Sequence, residues 1–390
     1  MDTPKYKQIY TNLLHRIQHG EFKQGDRVPS EKELSEEFDV SRITSRKALE
    51  MLSEQKVIER VRGKGSFVAD TSFSRNNEDL ELAQSEEKER AIKMIGLIIP
   101  NFSADFGMTF VKSIERLCSD LNISLIIKRT YGLIEEEAKS ITSMGEIGAD
   151  GLIIIPVHGQ HYNQALLQLA VDEFPFVLVD RFLTGIPASS VGTDNFLASK
   201  TLTEYLMQLG HKEIGFISVP VDGTSTIEER LKGFQTAFFH QEIKLDPSYM
   251  MTEIRSSLPA SKHQDQLNAI IQEDKERLES FVVNHPEMTA FVTSEFEQAL
   301  LLKSVLEKRG KKIPEDYSIV CFDHPQESLE EKQFTHIQQK EELMAEKAME
   351  LLLLKINQDS EFHHLFLDFT LVEGYSSRPI NKEKGIHSKK

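Results

Sequence analysis

Arginines and hydroxyl-bearing residues occur together near the start of the sequence, at a spacing suited to contact with a nucleic acid. Ser41 is a polar cap position that Arg42, Thr44 and Arg46 follow, and the two arginines are four residues apart. On a helix, residues at this spacing project from the same face. A guanidinium donates paired hydrogen bonds to a guanine edge or a phosphate. The pattern predicts a helix that can lie in a groove of DNA.

A second basic cluster lies about fifteen residues further on. Arg62, Gly63, Lys64 and Gly65 form a glycine-rich basic turn that leads into a short apolar segment, 66–68. Glycine amides can approach a phosphate closely because no side chain intervenes. The turn, with a short strand on each side, predicts a hairpin that contacts the DNA backbone beside the helix. Helix and hairpin together predict a winged helix-turn-helix domain over residues 1–70.

The elements that must position these side chains are also visible in the sequence. Ser30 and Glu33 have the spacing of a capping box, which begins a helix, and Ser41 caps the next one. The first of these helices is predicted to bury Leu34 and Phe38. The second is expected to bury a face that contains Ala48, Leu49 and Leu52.

Charge is distributed unevenly along the chain. The 390 residues carry a formal net charge of −16, which alone argues against a DNA-binding protein. Residues 1–70, however, hold 13 basic and 12 acidic residues, and the stretch 40–65 holds seven basic and three acidic residues. Positive charge is therefore concentrated where DNA contacts are predicted, and an acidic body follows it.

From residue 94 onward, short apolar runs alternate with amphipathic helical segments. The predicted strands are 94–100, 124–127, 151–156, 176–179, 214–218, 290–293 and 318–322, and the predicted helices include 110–121, 198–209, 227–239 and 299–309. Buried strands alternating with helices are typical of parallel sheets covered on both faces. The fold class predicted for the chain is α/β multidomain, with two doubly wound lobes and a cleft between them.

Polar and aromatic residues follow several of these strands. In doubly wound sheets, ligands bind beyond the carboxyl ends of the strands. The candidate ligand contacts read from these positions are Phe102, Asp105, Phe106, Lys128, His158, Arg181 and Asp323.

Domain organisation follows from these patterns. We expect a DNA-binding domain over 1–70, a polar acidic linker over 71–92, a two-lobed ligand-binding and dimerisation domain over 93–378 and a polar tail over 379–390. No apolar run approaches the roughly 20 residues that span a bilayer, and the first residues lack an apolar signal region. The two cysteines, Cys118 and Cys321, suit a reducing compartment. The expected location is therefore the cytoplasm.

Catalytic chemistry has no recognisable signature in the sequence. There is no nucleophile elbow, no phosphate-binding glycine loop and no metal-ligand spacing. We therefore expect no catalytic residues, no metal and no cofactor, and the protein is not expected to be an enzyme.

The first 70 residues resemble the GntR family of bacterial transcription regulators. The resemblance rests on segments 5–9, 25–34, 40–49 and 63–68. It implies that Lys32, Ser41, Arg42, Thr44 and Arg46 face DNA, and that Arg62, Gly63, Lys64 and Gly65 belong to the wing tip. One departure lies in the recognition helix, where Ser45 replaces a residue that is usually apolar.

The rest of the chain resembles the effector domain of LacI/GalR regulators and periplasmic sugar-binding proteins. The matching segments are 179–181, 191–195, 209–214, 229–234, 313–316 and 319–323. The resemblance implies that Arg181, Arg230 and Asp323 bind the effector and that the first-loop aromatic residues pack on it. Glu295 and Phe296 stand where that family usually has an Asn-Asp pair, and His324 replaces a second Asp. From its position, Glu295 is also a candidate effector contact. The combined architecture resembles the arabinose-repressor (AraR) subfamily.

These resemblances imply a dimeric repressor of carbohydrate-utilisation genes. It would bind a palindromic operator and be released by a small sugar or a sugar-derived effector. Two alternatives stay open at this point: a ligand-sensing module that acts through a protein partner, and a ligand-dependent activator.

Overall fold

The structure is a computed structural model. It describes residues 5–18, 22–23, 25–38, 40–54, 57–61, 64–68, 92–157, 163–183, 185–262, 265–325, 332–357 and 361–380. The described residues divide between two compact units, one before Ile92 and one from Ile92 onward.

The first unit combines helices with a small antiparallel hairpin. Its elements are α1 (Lys5–Gln18), α2 (Glu31–Glu37), α3 (Arg42–Glu54), β1 (Ile58–Val61) and β2 (Gly65–Val68). The predicted capping box is present at α2, since the Ser30 hydroxyl accepts from the Glu33 amide and Glu33 accepts from the Ser30 amide. Leu34, Ala48, Leu49 and Leu52 are fully buried, as predicted. Phe38 was also predicted to be buried but is only partly buried, because it lies at the C-cap of α2 beside the core.

A third segment of chain completes the wing. Arg27 pairs with Phe67 of β2, and the Val28 amide donates to the Ser66 carbonyl at 3.0 Å. Gly65 has φ +118°, and a Cβ there would lie 2.9 Å from the Arg27 Nε. Glycine is therefore favoured at this position by its backbone conformation, whereas the exposed Arg27 side chain could move away from a Cβ.

The second unit alternates strands and helices. Its strands are β3 (Met94–Ile99), β4 (Ser124–Arg129), β5 (Gly151–Ile154), β6 (Phe176–Val179), β7 (Ser189–Thr193), β8 (Ile214–Ile217), β9 (Met250–Met251), β10 (Ala290–Thr293), β11 (Ser318–Phe322), β12 (Thr335–Gln339), β13 (His364–Leu367) and β14 (Phe369–Val372). Its helices are α4 (Met108–Asp120), α5 (Ile134–Glu146), α6 (Gln164–Val171), α7 (Asn195–Gln208), α8 (Ser225–His240), α9 (Pro259–Lys262), α10 (Leu267–Asn284), α11 (Phe296–Lys308) and α12 (Glu341–Ile356), with a 3-10 turn at Pro247–Tyr249.

These strands form two six-stranded sheets. The first sheet has the order β13-β7-β6-β5-β3-β4, and all its neighbouring strands are parallel. The second has the order β14-β12-β11-β10-β8-β9, and only β14 is antiparallel to its neighbour. Each sheet is the centre of one lobe, so the predicted fold class is confirmed.

The chain passes between the lobes three times, each time through a single residue. Asp194 lies between β7 and α7, Lys340 between β12 and α12, and Asp368 between β13 and β14. The Asp194 amide donates to the Leu367 carbonyl at 3.2 Å, which joins two of these crossovers. Lobe one therefore consists of residues 92–193 and 341–367, and lobe two of residues 195–339 and 369–380.

The predicted domain boundaries stay predictions. Residues 71–91 of the expected linker lie outside the described residues. At the other end, the Ile380 amide donates to the Leu209 carbonyl at 2.9 Å, so the chain contacts lobe two at least as far as residue 380.

Candidate functional site

The start of α3 presents the residues predicted to face DNA. The Ser41 hydroxyl lies 3.3 Å from the Thr44 amide that donates to it and 2.9 Å from the Thr44 hydroxyl, so it caps the helix. Arg42 and Arg46 are both exposed. The helix therefore begins with two exposed arginine side chains, as its sequence predicts.

Glu31 of α2 organises the arginines of this surface. One oxygen of its carboxylate, Oε1, accepts from the Arg46 Nε at 3.3 Å and from the Arg60 Nη2 at 2.5 Å. Helix α2, helix α3 and strand β1 are thus connected through one carboxylate. Sequence reasoning missed Glu31, although it lies inside the capping-box segment and has the charge needed to pair with Arg46.

The remaining predicted DNA contacts lie in α2 and in the wing. Lys32 is exposed and lies 3.8 Å from Glu36 on the next turn. Lys64 is exposed and precedes Gly65 at the beginning of β2. Arg62 and Gly63 lie outside the described residues. The DNA-contact assignments stay predictions.

A cavity of about 830 Å³, open to solvent, lies between the two lobes of the second unit. Seven predicted residues line it: Phe102, Asp105, Phe106, Arg181, Arg230, Glu295 and Asp323. Other residues that line it include Asp180, Thr226, Ser257, Phe296, Glu297 and Gln339.

Two predicted contacts are not placed in the cavity by the structure. Lys128, on β4, does not line the cavity formed by the described residues. A strand-end position alone therefore did not identify a cavity residue, since β4 is the outermost strand of its sheet. His158 lies outside the described residues.

Arg230 is the central cation of the cleft. It is 4% exposed, its Nε donates to the Asn195 side-chain oxygen at 2.7 Å, and its Nη1 donates to the Ser294 carbonyl. Its guanidinium carbon lies 3.8 Å from the centre of the Phe322 ring. Burial lowers the pKa of Arg230, and the carboxylates of Asp323, Asp180 and Glu295 oppose that shift. The group is held rigidly among acids that stabilise its charge.

Asp180 and Asp323 occupy equivalent places in the two lobes. Each directly follows a central strand, β6 or β11, and each has φ +64°. Burial raises the pKa of both carboxyl groups, and Arg230 opposes the shift in both. Only Asp323 was predicted as a contact. Asp180 follows the end of β6 in the same way, and this position was a sequence signal that could have identified it.

Arg181 lines the cavity beside Asp180. Its Nη1 donates to the Pro156 carbonyl at 2.8 Å, whereas its buried Nε has no hydrogen-bond partner within the described part of the chain. The Nε lies 3.5 Å from an Asp180 oxygen. Guanidinium and carboxylate groups this close suit a ligand that presents several hydroxyls, because each can take part in more than one directed hydrogen bond.

Aromatic residues supply the apolar walls of the cavity. Phe102 lies 5.5 Å from the guanidinium of Arg129, which also donates to the Asn101 side chain at 2.6 Å. In lobe two, Phe296 packs edge-on against His324, with ring centres 5.0 Å apart. Burial lowers the pKa of His324, which keeps its ring neutral. A sugar ring has an apolar face and polar hydroxyl groups. A flat apolar surface beside charged groups can contact both.

Glu341 joins the crossover to the first loop of the cleft. It begins α12 immediately after Lys340, it is 2% exposed, and its Oε2 accepts from the Gly107 amide at 2.8 Å and the Phe110 amide at 3.0 Å. It therefore caps α4, a helix that begins 233 positions earlier in the chain. Burial raises the pKa of Glu341 to about 7, and Asp105 and Asp180 add to the rise.

The described residues contain neither a candidate metal site nor a candidate membrane span. Among the described residues, no cluster of histidine, cysteine or acidic side chains has the arrangement of a metal site. In the same part of the chain, no helix combines the length and the apolar character required to cross a membrane.

Comparison with known proteins identifies both units. Residues 5–68 match the family of bacterial regulatory proteins called gntR, and residues 203–377 match a periplasmic binding protein-like domain. The chain is therefore a DNA-binding transcription regulator that joins a gntR-family domain to a periplasmic-binding-protein-like domain.

Nearly full-length relatives have the same combination. The chain is 26% identical over 366 residues to the arabinose metabolism transcriptional repressor of Geobacillus stearothermophilus, covering 92% of each chain. It is 25% identical to the protein of the same name from Halalkalibacterium halodurans, covering 98% of this chain and 99% of the relative.

Solved structures share the fold of the second unit. The transcription regulator CcpA of Lactococcus lactis has a TM-score of 0.63 at 22% identity, covering 73% of this chain and 99% of that one. A LacI family regulator from Enterococcus faecium, solved with bound ribose, has a TM-score of 0.59 at 22% identity, covering 74% of this chain and 100% of that one.

Proposed function

We propose that this protein represses carbohydrate-utilisation genes and that a small sugar or sugar derivative, bound in the cleft, releases it from its operator. The observation that carries the proposal is the cleft itself. Buried Arg230, Arg181 and the two strand-end acids Asp180 and Asp323 surround one cavity with aromatic walls. The same chain carries a gntR-family domain.

The acids and arginines of the cleft favour an effector with many hydroxyl groups. Carboxylates accept from hydroxyls and guanidinium groups donate to them, whereas a phosphate would face an acidic majority. In support, the two long relatives are named as arabinose repressors, and one structural neighbour contains ribose.

On the DNA side, the proposal assigns contacts to Lys32, Ser41, Arg42, Thr44 and Arg46 and to the wing residues from Arg62 to Gly65. A homodimer would place one such domain on each half of a palindromic operator. A protein that works on operator DNA acts where that DNA is, in the cytoplasm. Regulation and not catalysis is the proposed activity, because the long relatives are repressors.

The test is a binding experiment with the full-length chain. Double-stranded sites are first selected from a random DNA library and scored for palindromic symmetry. L-arabinose, D-ribose and D-xylose are then titrated against the selected complex in a gel-shift assay. We expect at least one sugar to release the DNA. A protein that selects no sequence, or a complex that no sugar of a wider panel affects, contradicts the proposal.

A further inference from the structure

One side chain connects the cleft to the junction of the lobes. Gln339 is the last residue of β12, directly before the crossover residue Lys340, and it is 2% exposed. Its Oε1 accepts from the Thr193 hydroxyl at 2.7 Å. Its Nε2 lies 3.1 Å from both carboxylate oxygens of Asp323 and donates to them.

Thr193 occupies the corresponding place in lobe one. It is the last residue of β7, directly before the crossover residue Asp194, and it is also 2% exposed. The hydrogen bond from Thr193 to Gln339 therefore joins the two lobes. It lies beside two of the three crossovers, on which any rearrangement of the lobes depends. Hydrogen bonds between side chains as buried as these resist displacement, because a polar group that loses its partner pays its desolvation cost.

Asp323 connects these hydrogen bonds to the ligand cavity. Its carboxylate lines the cavity, and both of its oxygens are shared with the Gln339 amide. A ligand hydroxyl that donates to one oxygen weakens the bond between that oxygen and the amide, and so favours pairing of the amide with the other oxygen. A shift of the Gln339 side chain in that direction also moves its second contact, the Thr193 hydroxyl, which lies at the crossover.

We propose that Gln339 is a positioning residue that links occupancy of Asp323 to the arrangement of the two lobes. The proposal rests on the proposed function for the identity of the cleft. It adds a route by which a ligand in the cleft changes the relation between the lobes.

The test compares lobe-to-lobe distances in full-length protein labelled at Lys139→Cys in lobe one and Glu307→Cys in lobe two. Both native side chains are well exposed, and the native Cys118 and Cys321 are buried, so labelling is selective. Distances are measured by electron paramagnetic resonance, first without any sugar. Thr193→Val removes the hydroxyl at constant volume, Thr193→Ser retains it, and Gln339→Met removes both polar contacts.

We expect Thr193→Val and Gln339→Met to broaden the distance distribution, with the ratio of minor to major conformers changing roughly 5-fold or more. Thr193→Ser should match the unsubstituted protein, since it can still donate to Gln339. If these contacts were purely structural, Thr193→Val and Gln339→Met would lower the melting temperature, and Thr193→Ser would not restore the distance distribution. An unchanged distribution in Thr193→Val or in Gln339→Met overturns the proposal, and so does equal broadening in Thr193→Val and Thr193→Ser.

A second arm adds L-arabinose and D-ribose. In the unsubstituted protein a bound sugar should narrow the distribution, and in Thr193→Val the narrowing should be smaller at equal occupancy. If neither sugar alters the unsubstituted protein, the choice of sugars in the proposed function is wrong, while the sugar-free comparison still decides the role of Gln339. If Thr193→Val does not fold, Gln339→Met decides it.

Discussion

Ser45 is a polar residue on the buried face of the recognition helix. Its side chain is fully buried, and its hydroxyl has no hydrogen-bond partner among the described residues. The sequence already marked this position as unusual, because related domains have an apolar residue there. What the sequence did not show is that the hydroxyl is left unpaired, a fact that depends on which atoms surround it.

We predict that Ser45→Ala stabilises the DNA-binding domain by about 1 kcal/mol, because it removes an unpaired buried hydroxyl. Alanine also has the higher helix propensity, and Ser53→Ala on the same helix controls for that term because Ser53 is only partly buried. Urea unfolding of the two variants measures the difference. Equal stabilisation by Ser45→Ala and Ser53→Ala would show that burial of the unpaired Ser45 hydroxyl does not lower the free energy of unfolding.

Arg42 and Arg46 differ in how the protein holds them. Arg46 pairs with Glu31, whereas no ion pair of Arg42 occurs among the described residues. We predict that Arg42→Ala weakens binding to a selected DNA site by ~1–3 kcal/mol, the value of a good base or phosphate contact, and leaves sugar binding unchanged. Arg116→Ala, an exposed arginine on α4, makes the same charge change elsewhere. Gel-shift titration in which both variants bind like the parent would remove Arg42 from the interface.

At the scale of elements, the beginning of α4 depends on a residue from the far end of the chain. The cap is Glu341, and its ionisation state sets how strongly it accepts from the two amides. A carboxyl whose pKa is raised on folding stabilises the protein below its unfolded pKa, and this contribution is lost as pH rises through the folded value. For Glu341 that window runs from 4.5 to about 7.

We predict that Glu341→Gln is more stable than the parent at pH 8, by an upper value of about 3 kcal/mol, and that the difference shrinks toward pH 5. The amide oxygen can still accept from Gly107 and Phe110 but carries no buried charge. Melting temperatures measured across this range test it. Glu342→Gln, at the exposed neighbouring position, should show no such trend. A constant difference between pH 5 and 8 would contradict the assignment.

Elements with apolar runs were predictable from sequence, and elements with buried polar residues were not. Strands β6, β10 and β11 match their predicted bounds because their four or five residues are nearly all apolar and buried. Strands β7 and β12 were missed, although they are just as buried, because serine, threonine and glutamine dominate them.

Those polar strands are stable because their side chains find partners that are distant in sequence. Ser190 lies 2.9 Å from the ring of His364, and Thr335 lies 2.6 Å from the Ser377 hydroxyl. No local pattern reports such pairs. The same limit explains why seven cavity residues were predicted and Gln339 was not, since it ends a strand that the sequence did not reveal.

At the scale of the molecule, charge and cleft are arranged for two separate tasks. The region of residues 1–70 has a net charge of +1 and the remainder −17. The proposed ligand response depends on the second unit, where the buried guanidinium of Arg230 stands among several acids. Substitution of Arg230 should therefore impair the response to the ligand without impairing DNA binding.

We predict that Arg230→Lys keeps sugar-free DNA binding but loses the roughly 5- to 150-fold change in DNA affinity expected of an effector. A lysine keeps the charge but lacks the planar fork that contacts Asn195 and Ser294 together. Gel-shift titration with and without sugar measures the response, and Arg255→Lys, at an exposed position, is the control. Normal release of Arg230→Lys by sugar would exclude Arg230 from sensing.

The three single-residue crossovers also determine the order in which the protein can fold during synthesis. The core of lobe one includes Met344, Ala348 and Leu352 of α12, and its sheet ends with β13. Ribosomes deliver the chain from its first residue, so lobe one must wait, with its apolar face exposed, until all of lobe two up to Gln339 has been made. A newly made chain can therefore complete its DNA-binding domain long before either lobe, and the unfinished first lobe is the part most in need of a chaperone.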